Sequence, residues 1–411
     1  MSNFPHQLAK MCRPVPFGSL RRRLFRVNTR ALIAGFCIFW SISAMAQVTG
    51  EFYLEKTTFA PGEPVFLYFK LSNEGPDTVQ VSTADPEQPF CSGNSITVTS
   101  DPSPASSCRN FRDSGCIING LRSLAPLLPG HSKIERYLLN FNHEINSPGR
   151  YWVEAVHIGV QNRKAEDIHS KFYFRVDGNA AAFPASEFQP WLDQLQSPQQ
   201  EKRLEAARTL ASLAPLSLQA TLLGFADNPE FRRYAPLAFH RLNTPRSIRA
   251  MADLMKASAP GTFEHSEAAR YLAETNDQRW YPLLLDAAEK NAQISEYPDY
   301  AAELGGDKML PVLVALAKSR DSHLQAVMAM GSTGSRQAIP TLVEFLKSPD
   351  IGTSDRASYS LGLLTHRTTG QDSENRNQQV EYIKWSDWWQ REGATAPIYK
   401  DTECGEMVPL P

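Results

Sequence analysis

Motif-borne chemistry is missing from this 411-residue chain. It carries no His-Glu-x-x-His pair for zinc, no phosphate loop ending in Gly-Lys-Ser/Thr, no Gly-x-Ser-x-Gly elbow, no Gly-x-Gly-x-x-Gly turn and no Cys-x-x-Cys. Those absences remove the sequence grounds for a zinc protease, an NTPase, an elbow hydrolase, a dinucleotide enzyme or a dithiol oxidoreductase. His131, His143, His157 and His169 are scattered without metal-ligand spacing, so they count as surface or locally bonded histidines, and neither a metal nor a cofactor is expected. Positive charge is also scarce. The first 46 residues hold seven of the 42 basic residues and none of the 44 acidic ones, which leaves 35 against 44, a net of −9, over the rest. A broadly basic nucleic-acid binder is thereby excluded, because the phosphate backbone selects for clustered Lys and Arg. Catalytic carboxylates need no fixed spacing, so a hydrolase on an unusual scaffold remains an alternative.

No apolar run reaches the roughly 20 residues that a bilayer span requires. The stretch 31–46 contains Ser and Gly, follows Arg21-Arg22-Arg23-Leu24-Phe25-Arg26 and closes on Ala44-Met45-Ala46, a small-x-small ending. This pattern predicts a secretory signal over 1–46, cleaved near Ala46, with a retained anchor as the rival reading. The expected location is then periplasmic or secreted from a bacterial envelope, with no integral membrane segment after removal. Cys12 and Cys37 leave with the signal, and the survivors Cys91, Cys108, Cys116 and Cys404 form an even set suited to disulfides outside the cytosol. Cys108 with Cys116, or Cys91 with Cys108, are the local options. Cys404 is open to a bond within the chain or to another chain.

From Glu51 to Asp177 the apolar pattern has period two. Short strands are expected at Glu51 to Leu54, Val65 to Leu71, Thr78 to Val81, Ile96 to Val98, Ile134 to Leu139, Tyr151 to Val156 and Phe172 to Val176. Pro61-Gly62, Gly75-Pro76, Pro129-Gly130 and Pro148-Gly149 supply the turns. These features predict a β-sandwich over 47–177, with Trp152 in its core and the 91–116 segment as a binding loop. The stretches Pro61-Gly62-Glu63-Pro64-Val65 and Ser147-Pro148-Gly149-Arg150-Tyr151-Trp152 resemble strand pairs of immunoglobulin-like domains in secreted bacterial proteins.

A linker and lead-in helix over 178–199 begins at Gly178-Asn179-Ala180, and beyond it the period becomes helical. Glu205-Ala206-Ala207-Arg208 recurs as Glu267-Ala268-Ala269-Arg270, and Pro282, Pro311 and Pro340 follow one another at 29-residue steps. Each proline sits in the same apolar frame at i, i+3, i+4 and i+7: Tyr281, Leu284, Leu285, Ala288; Leu310, Leu313, Val314, Ala317; Ile339, Leu342, Val343, Leu346. A stack of two-helix units over 200–393 follows, since no single unit buries its own stripe. First helices are expected near 202–213, 230–242, 264–274, 296–305, 322–331 and 354–365, with second helices near 216–226, 244–257, 277–290, 308–319, 335–347 and 375–392. Pro236 falls inside a presumed first helix. Leu304-Gly305, Met330-Gly331 and Leu361-Gly362 end or approach the end of first helices. Residues 394–411 form a C-terminal tail.

This pattern resembles short bacterial HEAT repeats of the PBS-lyase-like kind, and Trp385-Ser386-Asp387-Trp388-Trp389 resembles the ending of such arrays. The fold class is then an immunoglobulin-like sandwich followed by an α-α superhelix. The expected function is a non-catalytic scaffold binding a protein or peptide on the concave face of the array, with second-helix surfaces carrying the partner. Arg232, Arg233, Arg246 and Arg249 are candidates for a positive contact strip, and Trp385, Trp388 and Trp389 for a cap on the open end of the stack. The alternative function is an enzyme regulator, such as a protease inhibitor acting through the 91–116 loop.

Overall fold

The computed structural model of the chain describes residues 48–82, 94–101, 124–157, 168–319, 321–367, 377–401 and 407–410. The expected signal and Cys91, Cys108, Cys116 and Cys404 lie outside them. The described chain is β-rich up to residue 176 and helical beyond it, closed by a short hairpin.

The strands of the first part are β1 (Val48–Leu54), β2 (Thr58–Phe59), β3 (Phe66–Asn73), β4 (Val79–Ser82), β5 (Asn94–Asp101), β6 (Leu124–Leu127), β7 (Ser132–Leu138), β8 (Gly149–His157) and β9 (Ile168–Val176). They form a sheet in the order β1-β3-β7, a second in the order β2-β9-β8-β5, and a small pair β4-β6. The β2–β9 pairing is parallel, whereas its neighbours are antiparallel. Phe52, Leu67, Phe69 and Leu71 from the first sheet and Tyr151, Val153 and Phe174 from the second bury into one core. Alternation decides the faces of β8: Tyr151, Val153 and Ala155 point inward, so Trp152 is left outside, 44% exposed. That corrects the expected core placement of Trp152. His157 departs the other way, since its ring is buried 4.7 Å from that of Phe69.

The helices are α1 (Leu139–Asn142), α2 (Gln189–Gln194), α3 (Gln200–Leu213), α4 (Gln219–Leu223), α5 (Ala235–Leu242), α6 (Pro245–Ala257), α7 (Phe263–Glu274), α8 (Tyr281–Lys290), α9 (Glu296–Gly305), α10 (Leu310–Leu316), α11 (His323–Ser332), α12 (Ala338–Phe345), α13 (Ile351–Thr365) and α14 (Gln378–Trp388). From α3 onward odd-numbered first helices alternate along the chain with even-numbered second helices. Leu284, Leu313 and Leu342, at successive 29-residue steps, are almost wholly buried, as the repeated stripe requires. Pro236 does not interrupt a helix. It stands in the first turn of α5, where its missing N–H removes no helical hydrogen bond.

First helices meet through small side chains. Ala206, Ala207, Ala268, Ala269, Ala301, Ala302, Ala326, Ala329 and Ala357 have no exposed surface. Gly331 lies in the last turn of α11, and the reason is a close approach: a Cβ there would sit 3.0 Å from the Ser360 Cα on α13. The Ser360 hydroxyl donates across the same contact to the Val327 carbonyl at 3.0 Å. Asp307 joins neighbouring units, because the Ser335 hydroxyl and the Gln337 amide of the next loop both donate to it.

The α5–α6 link is capped from both sides, with the Ser247 N–H donating to Thr244 Oγ1 at 3.1 Å and the Thr244 N–H donating to Ser247 Oγ at 3.0 Å. Thr244→Ala is expected to cost about 1 kcal/mol, the usual worth of such a cap. A shift in the denaturant midpoint at unchanged slope would show it, and an unshifted midpoint would refute it.

The tail folds back on the array. Strands β10 (Ile398–Asp401) and β11 (Met407–Leu410) form an antiparallel hairpin, and Ile398 is buried in the helical core. Arg336 donates to the carbonyls of Gly393 and Ala396, and Lys400 Nζ donates to the Glu303 carbonyl at 3.2 Å.

Candidate interaction face

The outward side of the first helices carries a row of ionisable groups that repeats with the fold. On α7 these are Glu267, Arg270 and Glu274, and 29 residues later on α9 they are Glu296, Asp299 and Glu303. All but the exposed Glu296 are half-buried. Arg270 donates to Glu267 at 3.2 Å and to Glu274 at 3.0 Å. Burial works to lower the Arg270 pKa, but Tyr271, Glu267 and Glu274 outweigh it and hold the guanidinium well above its ordinary value. Tyr300 lies beside this group. Its hydroxyl is pushed well up, first by burial; Arg270 opposes the shift, and Glu267, Glu296 and Asp299 add to it. His240 on α5 stacks on Tyr271 with centroids 4.2 Å apart and comes within 3.7 Å of Glu274. Ser332 of α11 donates to Asp299 at 3.1 Å. The patch therefore gathers several carboxylates around one fixed arginine.

The β half abuts this face at its N-terminal end. Arg136 of β7 pairs with Glu205 of α3, and Arg241 of α5 pairs with Glu144 at 2.9 Å. His143 is buried near Arg241. Its Nε2 is buried and has no hydrogen-bond partner among the described residues. Burial, reinforced by the Arg241 charge, lowers its pKa to about 4.

The arginines proposed from sequence fall in two places. Arg232 and Arg233 precede α5, where Arg232 Nε donates to the Ala226 carbonyl at 2.8 Å and Arg233 lies 5.8 Å from the Phe263 ring. Arg246 and Arg249 are exposed on the first turns of α6, beyond the far end of α5. An eight-residue helix spans about 12 Å at 1.5 Å per residue, so the length of α5 separates the two pairs. Trp385 and Trp388 are buried and meet edge to face with centroids 5.4 Å apart, while Trp389 is half-buried. Gly393 follows them because a Cβ there would collide with the Trp389 ring at 2.2 Å. The 91–116 segment is described only at β5. Among the described residues, no group of three or more His, Cys, Asp or Glu is placed to hold a metal ion, and no helix is long and apolar enough to cross a membrane.

The acidic row was absent from the sequence expectations, although the 29-residue step that organises the prolines also relates Glu267 to Glu296, Arg270 to Asp299 and Glu274 to Glu303. The seam escaped for another reason: His143 and Arg241 are far apart in sequence and meet only through the fold.

Among curated proteins no sequence matches this one. Among solved structures, the chain is similar to a Salmonella alpha-2-macroglobulin mutant at 12% identity, covering 89% of this chain and 28% of that one, with a TM-score of 0.18. It is also similar to native alpha-2-macroglobulin from Escherichia coli spanning domain MG7 to the C-terminus, at 13% identity, 88% and 64% coverage and a TM-score of 0.19. Scores that low carry no argument about fold. Residues 324–348 match the family described as PBS lyase HEAT-like repeat, so the α11–α12 pair is a HEAT-like repeat.

Proposed function

We propose that the chain is an exported, non-catalytic scaffold that holds a basic segment of a protein or peptide along the first-helix face of a HEAT-type solenoid, with an immunoglobulin-like sandwich at one end. Export rests on the 1–46 signal pattern. The sandwich reading is supported by strand order, with β1, β3 and β7 on one sheet and β5, β8 and β9 on the other, and by Tyr151, whose hydroxyl donates to the Ser147 carbonyl at 2.8 Å in the manner of a tyrosine corner. The solenoid reading is supported by the 29-residue step and the repeat at 324–348.

We infer that the first helices line the concave side. Rows that meet through Ala, Gly and Ser bring their axes closer than rows spaced by Leu and Val, and an array curves toward its tighter row. On this reading the partner lies on the first helices, in place of the second-helix surfaces expected from the sequence. The acidic repeat on α7 and α9 carries the reading: carboxylates on neighbouring units, half-buried for the most part, favour an extended partner that presents Lys or Arg. The engagement of Glu267 and Glu274 with Arg270, and of Asp299 with Ser332, suits a fixed binding surface better than a site that moves protons.

Full-length protein immobilised at low salt is expected to retain an envelope protein that is released as the Debye length shrinks below about 8 Å. The double variant Glu296→Lys, Asp299→Lys should lose that capture. Equal capture by the charge-reversed protein would sink the proposal.

A further inference from the structure

The C-terminal hairpin lies across the ends of three first helices and carries a lysine to the acidic row. Its base is fixed: Arg336 donates to the carbonyls of Gly393 and Ala396, and Ile398 is 4% exposed in the helical core. Residues two apart on a strand share a face, so the side of β10 that buries Ile398 also turns Lys400 toward the array. Lys400 Nζ donates to the Glu303 carbonyl at 3.2 Å. That carbonyl belongs to the last turn of α9, where no helical N–H reaches it and the helix end is negative. Asp299 stands one turn back on the same helix, and Asp307 follows just past its end. Beyond Ile398 the contacts of the hairpin are lighter. Tyr399 lies 5.4 Å from the His366 ring at the end of α13, and Leu410 packs over Gly334 past α11, where a Cβ would come within 2.9 Å of its Cδ1.

We infer that this hairpin is an internal competitor for the acidic first-helix face: it seats Lys400 where a basic partner would place a side chain, and it opens when the partner binds. The inference rests on the reading of that face as a seat for basic segments. A tail that only closed the array would need the Arg336 anchors and Ile398. It would not need a cation two residues further on, set at a helix end that attracts one. Displacement is cheap, because two four-residue strands are marginal by themselves and Tyr399, Lys400 and Leu410 are only half-buried. The apparent affinity for a partner then scales with the fraction of molecules whose hairpin is open. A hairpin closed about four-fifths of the time weakens that affinity about fivefold. By reciprocity, a bound partner holds the hairpin open.

Fluorophore-labelled decalysine, added at low salt to the full chain and followed by anisotropy, tests this. The wild-type protein should bind it, and Lys400→Gln should bind it about fivefold more tightly. Lys308→Gln removes the same charge beside Asp307 but outside the hairpin, and should shift the affinity less than about twofold, since a lone surface charge contributes little. Hydrogen exchange of the wild-type chain should quicken at residues 398–401 when decalysine saturates it, and stay unchanged with decaglutamate. Equal affinity of Lys400→Gln and the wild type, an equal gain in Lys308→Gln, or unaltered exchange at 398–401 would each overturn the inference, while loss of binding in the Glu296→Lys, Asp299→Lys variant would still uphold the array reading. No binding of decalysine by either the wild type or Lys400→Gln would overturn both.

Discussion

Replacing Trp388 by alanine is expected to open the C-terminal end of the array and leave the β half intact. The indole is 6% exposed, packs edge to face on Trp385 and lies beneath the Arg367 guanidinium at 5.1 Å. Truncating a buried tryptophan costs about 3–5 kcal/mol, because the lost transfer energy is joined by the cavity left behind. That is a large share of the roughly 5–15 kcal/mol that holds a domain folded. The loss should not spread evenly. Each helix pair draws its stability from its neighbours, so removing the last contact frees α14 first, then α12, then α10. Hydrogen exchange resolved by peptide should show protection falling in that order, with β3 and β8 unchanged. If α12 keeps its protection while α14 loses it, the β10–β11 hairpin and the Arg336 contacts to Gly393 and Ala396 close the array instead of the tryptophans.

Much of the helical half was legible because its physics is local and repeated. The frame around Pro282, Pro311 and Pro340 specifies one buried stripe, and Leu284, Leu313 and Leu342 occupy it. The β half was legible in its strands but not in every face. Tyr151 and Trp152 are adjacent aromatics of opposite parity, and composition alone favours burying both. The deciding signal was Glu154, which shares the parity of Trp152 and belongs in water. Gly331 reads as a helix stop by propensity, yet it serves a helix crossing, and only the partner at Ser360 reveals that. His143, Glu144 and Arg241 had no local pattern at all, since their meaning lies in the junction between the two halves.

That junction sets the second large expectation, a loss of stability on mild acidification. His143 titrates near pH 4 in the folded protein against 6.5 for the free side chain, because burial and then the Arg241 charge oppose its protonated form. Above pH 6.5 both folded and unfolded chains carry it neutral, and it contributes no pH dependence. As the pH falls below 6.5 the unfolded chain takes up the proton and the folded one does not, so stability declines until about pH 4, where the folded form also protonates. At about 1.4 kcal/mol for each pKa unit separating the two states, the decline totals about 3 kcal/mol. Denaturant unfolding of the wild type between pH 7 and pH 4.5 should therefore show a steeper fall than that of His143→Gln, whose amide does not titrate. Exchange at α1, α3 and α5 should quicken before exchange at α9 and α11, because protonation places a cation beside Arg241 in the seam. Identical pH profiles for the two proteins would mean that water reaches the imidazole and that the two halves part more easily than their paired charges suggest.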